Sequence, residues 1–344
     1  MQRLDVIAQK FVKNPLVNEL AVEIYLPKRS LHWQHGALAK QYFIASTTKL
    51  YTAAIVFQLI DAGQLGLDQT ALSVLGAETM RGLHVFKGRD YAEQITVHRL
   101  LSHTSGLADY FEQKQTDGSS IGGPLLENND RDWTFAEVLE LNRTKLRPHF
   151  VPGSGRKAFY SDTNFQLLGK IIEQVTGESF AVNLQKRILG VLQLEDTYLF
   201  SANTLGRYDS VAAMLSGTQR LRIPQAMASF GSDGGMVSTT ADGIKFLEAF
   251  MNGKLFAPHW RSDWADWRRI FFPLQYGTGV MRFQLPRIFT LFRKTPEFIG
   301  HSGASGAFLF YAPRLDAYFS GTVNQVKKRD LSFRLMLELS MALD

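Results

Sequence analysis

The stretch Phe43-Ile44-Ala45-Ser46-Thr47-Thr48-Lys49-Leu50-Tyr51-Thr52-Ala53-Ala54-Ile55-Val56-Phe57-Gln58-Leu59-Ile60-Asp61-Ala62-Gly63 decides how the rest of the chain is read. A serine and a lysine three residues apart open an otherwise apolar helix, and Gly63 ends it. At that spacing both side chains lie on one helical face, about one turn apart. Ser46 falls at the helix N-terminus, where free N–H groups and the dipole favour developing negative charge. Lys49 has apolar neighbours, so desolvation is expected to lower its pKa. A lysine that sheds its proton beside a serine hydroxyl is one way to make that hydroxyl nucleophilic. The structural alternative is an N-capping serine with a snorkelling lysine. A second copy of the spacing, Ser154-Gly155-Arg156-Lys157, follows a Pro-Gly turn with no apolar helix behind it, and reads as a solvated loop.

The bulk numbers narrow the class. With 344 residues, 45% of them hydrophobic and 20% charged, the chain has an ordinary globular composition and room for one large domain or two interleaved ones. No apolar run reaches the ~18 residues of a membrane helix, so no integral membrane segment is expected. The first ten residues carry charges where a signal peptide would be apolar, which makes the cytoplasm the expected location. The absence of cysteine excludes disulfides, thiol catalysis and Cys-ligated metals. The eight histidines show no ligand spacing, so neither a metal nor a cofactor is expected. The net charge of +6 is mild and mostly scattered. Its one concentration, His259 to Arg269, interleaves three tryptophans with arginines and reads as a partly exposed helix or lid that uses its tryptophans for packing. No nucleic-acid partner is expected.

Hydrophobic periodicity places a helix over 3–13, a strand from Leu20 to Tyr25 and its hairpin partner from Ser30 to Leu38. Thr96 reads as the cap of a short helix running into Ser102-His103-Thr104-Ser105-Gly106. His103 sits among hydroxyls and is expected to hold that turn together rather than act as a base. Residues 113–131 form a long polar loop, expected to be a lid or cleft wall. Helices follow over 134–146, from Phe165 to Val175 and from about Phe180 to Leu192, whereas 201–223 is poorly patterned. Gly234-Gly235 marks a close backbone approach, and Thr239 with Asp242 has capping-box spacing. From Tyr276 onward the pattern turns to strands, and a last amphipathic helix covers 329–343. The expected fold is α+β, an α/β sandwich. An antiparallel sheet from both termini (1–64 and 225–344) is flanked by helices, with a mostly helical domain (65–224) inserted and a cleft at their junction.

Four segments in order carry a family resemblance: Ser46-Thr47-Thr48-Lys49, Leu100 to Leu107, Tyr160-Ser161-Asp162-Thr163-Asn164, and Ile299-Gly300-His301-Ser302-Gly303-Ala304. Together with Gly234 to Thr239 they resemble the serine β-lactamase and penicillin-binding-protein superfamily. The likeness is on the class C side, with the D-alanyl-D-alanine peptidases and related esterases. The resemblance implies a β-lactamase/transpeptidase-like fold and a covalent acyl-enzyme. Ser46 would be the nucleophile and Lys49 its proton-handling partner. Tyr160 would be the general base, or share that role, provided a cation such as Lys49 favours its phenolate. The backbone N–H groups of Ser46 and Ala304 match oxyanion-hole positions.

Two departures bear on substrate. Asp162 stands where the family usually has Asn. It either pairs with Lys49 and raises its pKa, binds a substrate amine, or accepts hydrogen bonds as Asn would. His301-Ser302-Gly303 replaces Lys-Thr-Gly, so a titratable imidazole stands where a cation would grip a carboxylate. Lys294-Thr295 runs into Pro296 and is not a displaced copy of that motif. The resemblance then implies a hydrolase of small esters or amides, with Asp162, His301, Ser302, Gly303 and Ala304 around the substrate. A D-alanyl-D-alanine carboxypeptidase or weak β-lactamase is the alternative, and a binding protein that kept the fold is a further one. The expected partner is a small ester, amide or short peptide, and the oligomeric state stays open. Gly300 to Ala304 half resembles an α/β-hydrolase elbow, but position 304 is Ala and no strand–helix alternation surrounds it.

Overall fold

Strands from opposite ends of the sequence meet in one sheet. The computed structural model describes residues 2–286 and 295–343. Near the N-terminus are β1 (Ala21–Leu26) and β2 (Leu31–Gly36). Toward the C-terminus are β3 (Arg268–Phe271), β4 (Leu274–Tyr276), β5 (Met281–Phe283), β6 (Phe298–Ser302), β7 (Ala307–Ala312) and β8 (Ala317–Thr322). They pair antiparallel in the order β3-β4-β5-β6-β7-β8-β1-β2. The two ends of the chain join where Ala21 pairs with Thr322 and Ile24 with Phe319. Both termini therefore build the sheet, as their strand patterns predict.

Helices cover both faces of the sheet. They include α1 (Gln2–Val12), α2 (Thr48–Asp61), α4 (Thr240–Met251) and α5 (Asp330–Leu343), while α3 (Asp162–Thr176) packs on α2. Leu309 and Ser320 pair in register and face α4, where a Cβ on Gly243 would lie 2.3 Å from the Ser320 Oγ. Phe310 and Phe319, one residue further along each strand, point the other way. Phe310 meets Phe333 of α5 on that side. Among the described residues, no helix is long and apolar enough to cross a membrane.

The α2 helix is the centre of the packing. Eleven of its fourteen residues are buried, and its side chains are apolar almost all round. Tyr51 stacks on Phe246 of α4 at 3.6 Å between centroids, and Phe57 packs on Phe256 and Trp260. The α3 helix crosses nearby and starts at Asp162, three residues before the Phe165 expected from periodicity. Its first free N–H is taken by a distant carboxylate: the Asp162 amide donates to Asp109 Oδ1 at 2.8 Å. Gly177, at φ 69°, ends it in the left-handed conformation.

The tryptophan–arginine segment packs through its tryptophans as expected but is helical over a shorter stretch. Only one helical turn forms, Trp260–Asp263, and the chain then enters β3, eight residues before the strands expected from Tyr276. Trp260 stacks on Phe57 and Trp264 on Phe250, so two of the three tryptophans are core. Alternating large and charged residues suit an amphipathic helix or an edge strand equally. The aromatic floor beneath them selects the outcome.

Phe57→Ala removes a fully buried ring from the middle of α2. A loss of about 3–5 kcal/mol is expected, read as a lower denaturant midpoint with an unchanged slope. A loss below about 1 kcal/mol would show that α2 is not the packing centre.

Candidate active site

Ser46 lies in a 3-10 turn, Ala45–Thr47, that leads into α2. Ala45 takes φ 45°, a left-handed conformation that costs a non-glycine residue about 1–3 kcal/mol. Surrounding bonds hold the turn in place. The Thr47 hydroxyl donates to the Ile44 carbonyl at 2.8 Å, the Ser305 hydroxyl to the Phe43 carbonyl at 2.6 Å, and the Ile44 amide to the Met236 carbonyl at 3.0 Å. The end of β6 comes against the same turn. A Cβ on Gly303 would lie 2.3 Å from the Ile44 carbonyl oxygen, so only glycine allows this approach.

Lys49 is completely buried below the serine. Its ammonium donates to Ser46 Oγ at 3.2 Å and to the Asp233 carbonyl oxygen at 2.5 Å, and it pairs with Asp162 Oδ1 at 2.6 Å. These three partners use all three N–H bonds of an ammonium. Burial, the largest single influence, opposes the charge, yet the Asp162 and Asp233 carboxylates together outweigh it and raise the pKa above the ordinary lysine value. The expectation of a lysine pKa lowered by desolvation is therefore corrected. Asp162 does pair with Lys49, the first of the readings open for it.

Tyr160 lies against the same lysine, whose Nζ is 5.3 Å from its ring centroid, and lines the cavity together with Ser46. Burial and then the Asp162 charge raise its pKa well above the ordinary phenol value. The phenolate expected beside Lys49 is thus disfavoured, because the lysine charge is already neutralised by Asp162.

His301 is also corrected. Its side chain is fully buried beneath the cleft, near Tyr160 and Tyr276, and does not line the cavity. Burial, reinforced by the Lys49 charge, pushes its pKa down to about 3, and its Nδ1 donates to the Ser302 carbonyl at 2.7 Å. A neutral, inward-facing imidazole offers no charge to a substrate carboxylate. Among the described residues, His103 makes no side-chain bond within its own turn and instead ties that turn to the start of α3: its Nδ1 accepts from the Ser161 amide at 3.2 Å and the Asn164 amide group at 2.9 Å.

Two carboxylates escaped the sequence reading. Asp233 accepts from the Tyr110 hydroxyl at 2.8 Å, and burial holds its pKa well above the carboxylate range. Asp109 accepts the amides of Asp162 and Glu112, at 2.8 and 2.7 Å, and burial with the Asp162 charge pushes its pKa up to about 7. The signal for Asp233 was present in its glycine neighbours. Close packing of Gly169 against Ser232 brings that turn onto α3, where a Cβ at 169 would lie 2.2 Å from the Ser232 Oγ.

Above these groups is a cavity of about 660 Å³. Ser46, Tyr160, Asp162, Ser302, Gly303 and Ala304 all line it. The 113–131 loop contributes Gln113, Ser120 and Leu125, which makes it a cleft wall. Among the described residues lining the cavity, the one cationic side chain is Arg329, paired with Glu112 at 2.5 Å. Lys294 lies outside the described residues.

Residues 39–340 match the Beta-lactamase family model. A 212-residue stretch is 30% identical to penicillin-binding protein 4 of Amycolatopsis lactamdurans, covering 60% of this chain and 50% of that protein. The chain thus spans about half the length of that curated relative. The D-amino acid amidase from Ochrobactrum anthropi SV3, complexed with L-phenylalanine, superposes with a TM-score of 0.78 at 20% identity, over 99% of this chain and 98% of that one. EstCE1, a hydrolase with promiscuous acyltransferase activity, superposes with a TM-score of 0.78 at 19% identity, over 99% and 97%. At these identities the likeness shows a shared fold.

Lys49 and Asp162 should be coupled in stability. Lys49→Met, Asp162→Asn and the double variant, compared by chemical denaturation, should give a coupling energy on the order of 1–3 kcal/mol, with the double variant more stable than the sum of the singles predicts. Strict additivity would contradict the ion pair.

Proposed function

The chain belongs to the Beta-lactamase family, and on that premise we propose that it is a serine hydrolase that cleaves small esters or amides through an acyl-enzyme on Ser46. The observation that carries this reading is the Lys49–Ser46–Tyr160 constellation at the floor of the 660 Å³ cleft. The cleft is taken to separate the sheet domain (1–64 and 225–344) from the helical one (65–224).

The proton route is assigned from the positions of these groups. Ser46 Oγ accepts from Lys49, which leaves its own proton for Tyr160, the phenol that lines the cleft beside it. As Ser46 Oγ bonds to the substrate carbonyl carbon, Tyr160 takes the serine proton and passes its phenolic proton to the leaving oxygen or nitrogen. No phenolate accumulates. In deacylation, water attacks the acyl carbon and gives its proton to Tyr160, which returns its own to Ser46 Oγ. Lys49 stays an ammonium and stabilises negative charge on Ser46 Oγ. The amides of Ser46 and Ala304 are assigned to the carbonyl oxygen, and Ser302 and Gly303 to the substrate's flank.

Charge supports esters or amides without a carboxylate. Buried His301 is neutral, Lys49 is committed to Asp162, and Arg329 is engaged by Glu112. A carboxylate-bearing penicillin or peptide therefore finds no ready counter-ion among the described lining residues. A second reading, an amidase for substrates bearing an ammonium group, is favoured by Asp109, Glu112 and Asp162 along the cavity.

Intact-mass spectrometry after separate incubation with a fluorophosphonate, p-nitrophenyl butyrate and a penicillin tests the reading. A Ser46 fluorophosphonate adduct, rapid ester turnover and little penicillin reaction are expected. A long-lived penicilloyl adduct would shift the reading to a penicillin-binding peptidase, and no adduct with any probe would overturn it. Ser46→Ala should lower turnover by at least ~10³-fold with an unchanged unfolding midpoint.

Asp162→Asn tests the state of Lys49. Losing the carboxylate lowers the lysine pKa, so the ammonium is lost at lower pH. The alkaline limb of kcat/KM should move to lower pH. If activity instead spread to lower pH on the acid side, Lys49 would be acting as a free-amine base.

A further inference from the structure

The cavity has two unlike ends. The polar end is Ser46, Asp162, Asp233 and Asp109, tied together through Lys49 and the Asp162 amide. From it extends an apolar wall made by Leu125, Met214, Leu221, Ile223 and Met227, all lining the cavity and none more than 6% exposed. These five side chains belong to a hydrophobic cluster separate from the one around α2. The β3–β4 hairpin also lines the cavity, and there Phe271 is 51% exposed. The aliphatic wall is thus closed by protein interior and the hairpin side opens to solvent.

We propose that the closed apolar wall is a binding site for an aliphatic acyl chain of the substrate, so that the preferred substrates are esters or amides of medium-chain acids. This rests on the acyl-enzyme reading above. The acyl group stays bonded to Ser46 through the cycle and is suited to an interior wall, whereas the leaving group has to depart and is suited to the open side. The wall carries no charge of its own, and its residues are aliphatic or methionine. Methionines 214 and 227 supply unbranched, adaptable surface that follows a flexible chain. The volume is in the range that encloses most of a drug-sized ligand, far more than an acetyl group fills.

The test is a series of p-nitrophenyl esters with one leaving group and acyl chains from acetyl to octanoyl, each below its aggregation limit, with fluorophosphonate labelling of Ser46 run alongside. Burying each methylene should raise kcat/KM about fourfold until the wall is covered, a rise on the order of a hundredfold from acetyl to hexanoyl. Met227→Trp fills the wall and should cut the octanoyl-to-acetyl ratio of kcat/KM by at least tenfold. Met227→Ala, the control should the larger side chain impair folding, should move the optimum to a longer chain. If Ser46 is labelled and the acetyl ester is turned over but the series is flat or falling, the acyl-chain site is wrong and the hydrolase reading stands. If no ester is turned over and Ser46 is not labelled, the hydrolase reading fails and takes this inference with it.

Discussion

A lysine ammonium with no solvent contact must be neutralised from within the protein, and Lys49 is neutralised by groups from three separate parts of the chain. Ser46 comes from its own helix, Asp162 from the start of α3, and the Asp233 carbonyl from the turn before Met236–Ser238. Removing an ion of this kind from water costs several kcal/mol, recovered only if each hydrogen bond is made. The requirement reaches beyond the three contacts. Asp162 is held by Asp109 through its amide, Asp233 by the Tyr110 hydroxyl, and Ser232 by close packing on Gly169. The turn that carries Ser46 is thereby fixed against the start of α3.

The same ion pair sets the character of the neighbouring groups. Because Asp162 neutralises Lys49, the lysine gives little support to a phenolate at Tyr160, and that hydroxyl keeps its proton. What remains of the lysine's field, added to burial, keeps His301 neutral. A floor with a committed cation, neutral phenols and imidazoles, and partly ionised carboxylates does not attract anions. An Asn at position 162 would leave Lys49 without its nearest counter-charge. The one-atom difference between Asp and Asn thus changes the electrostatics of the site.

Much of the fold was legible because it follows from local periodicity. The alternation in Leu20 to Tyr25 and the change to strand patterns from Tyr276 predict the sheet, and the unbroken apolar run after Ser46 predicts the buried helix. The Ser46–Lys49 spacing places both groups on one face in any α-helix. The β3–β4 hairpin was not legible, because Trp260 and Trp264 owe their burial to Phe57, Phe250 and Phe256, which are distant in sequence or on other elements. Asp109 as the cap of α3 was hidden for the same reason, since the residue that completes the helix terminus is 53 positions away.

The sequence by itself determined the sheet-and-helix architecture, the family resemblance and the identities of Ser46, Lys49, Tyr160 and Asp162, because these depend on spacing along one helix or within one short motif. Only the tertiary structure decided the charge on Lys49, the proton on Tyr160, the burial of His301 and the two unlike ends of the cleft. Those properties are set by Coulomb interaction and desolvation, which act through distances in space, and the carbonyl that completes the lysine's shell lies 184 residues from it in the chain.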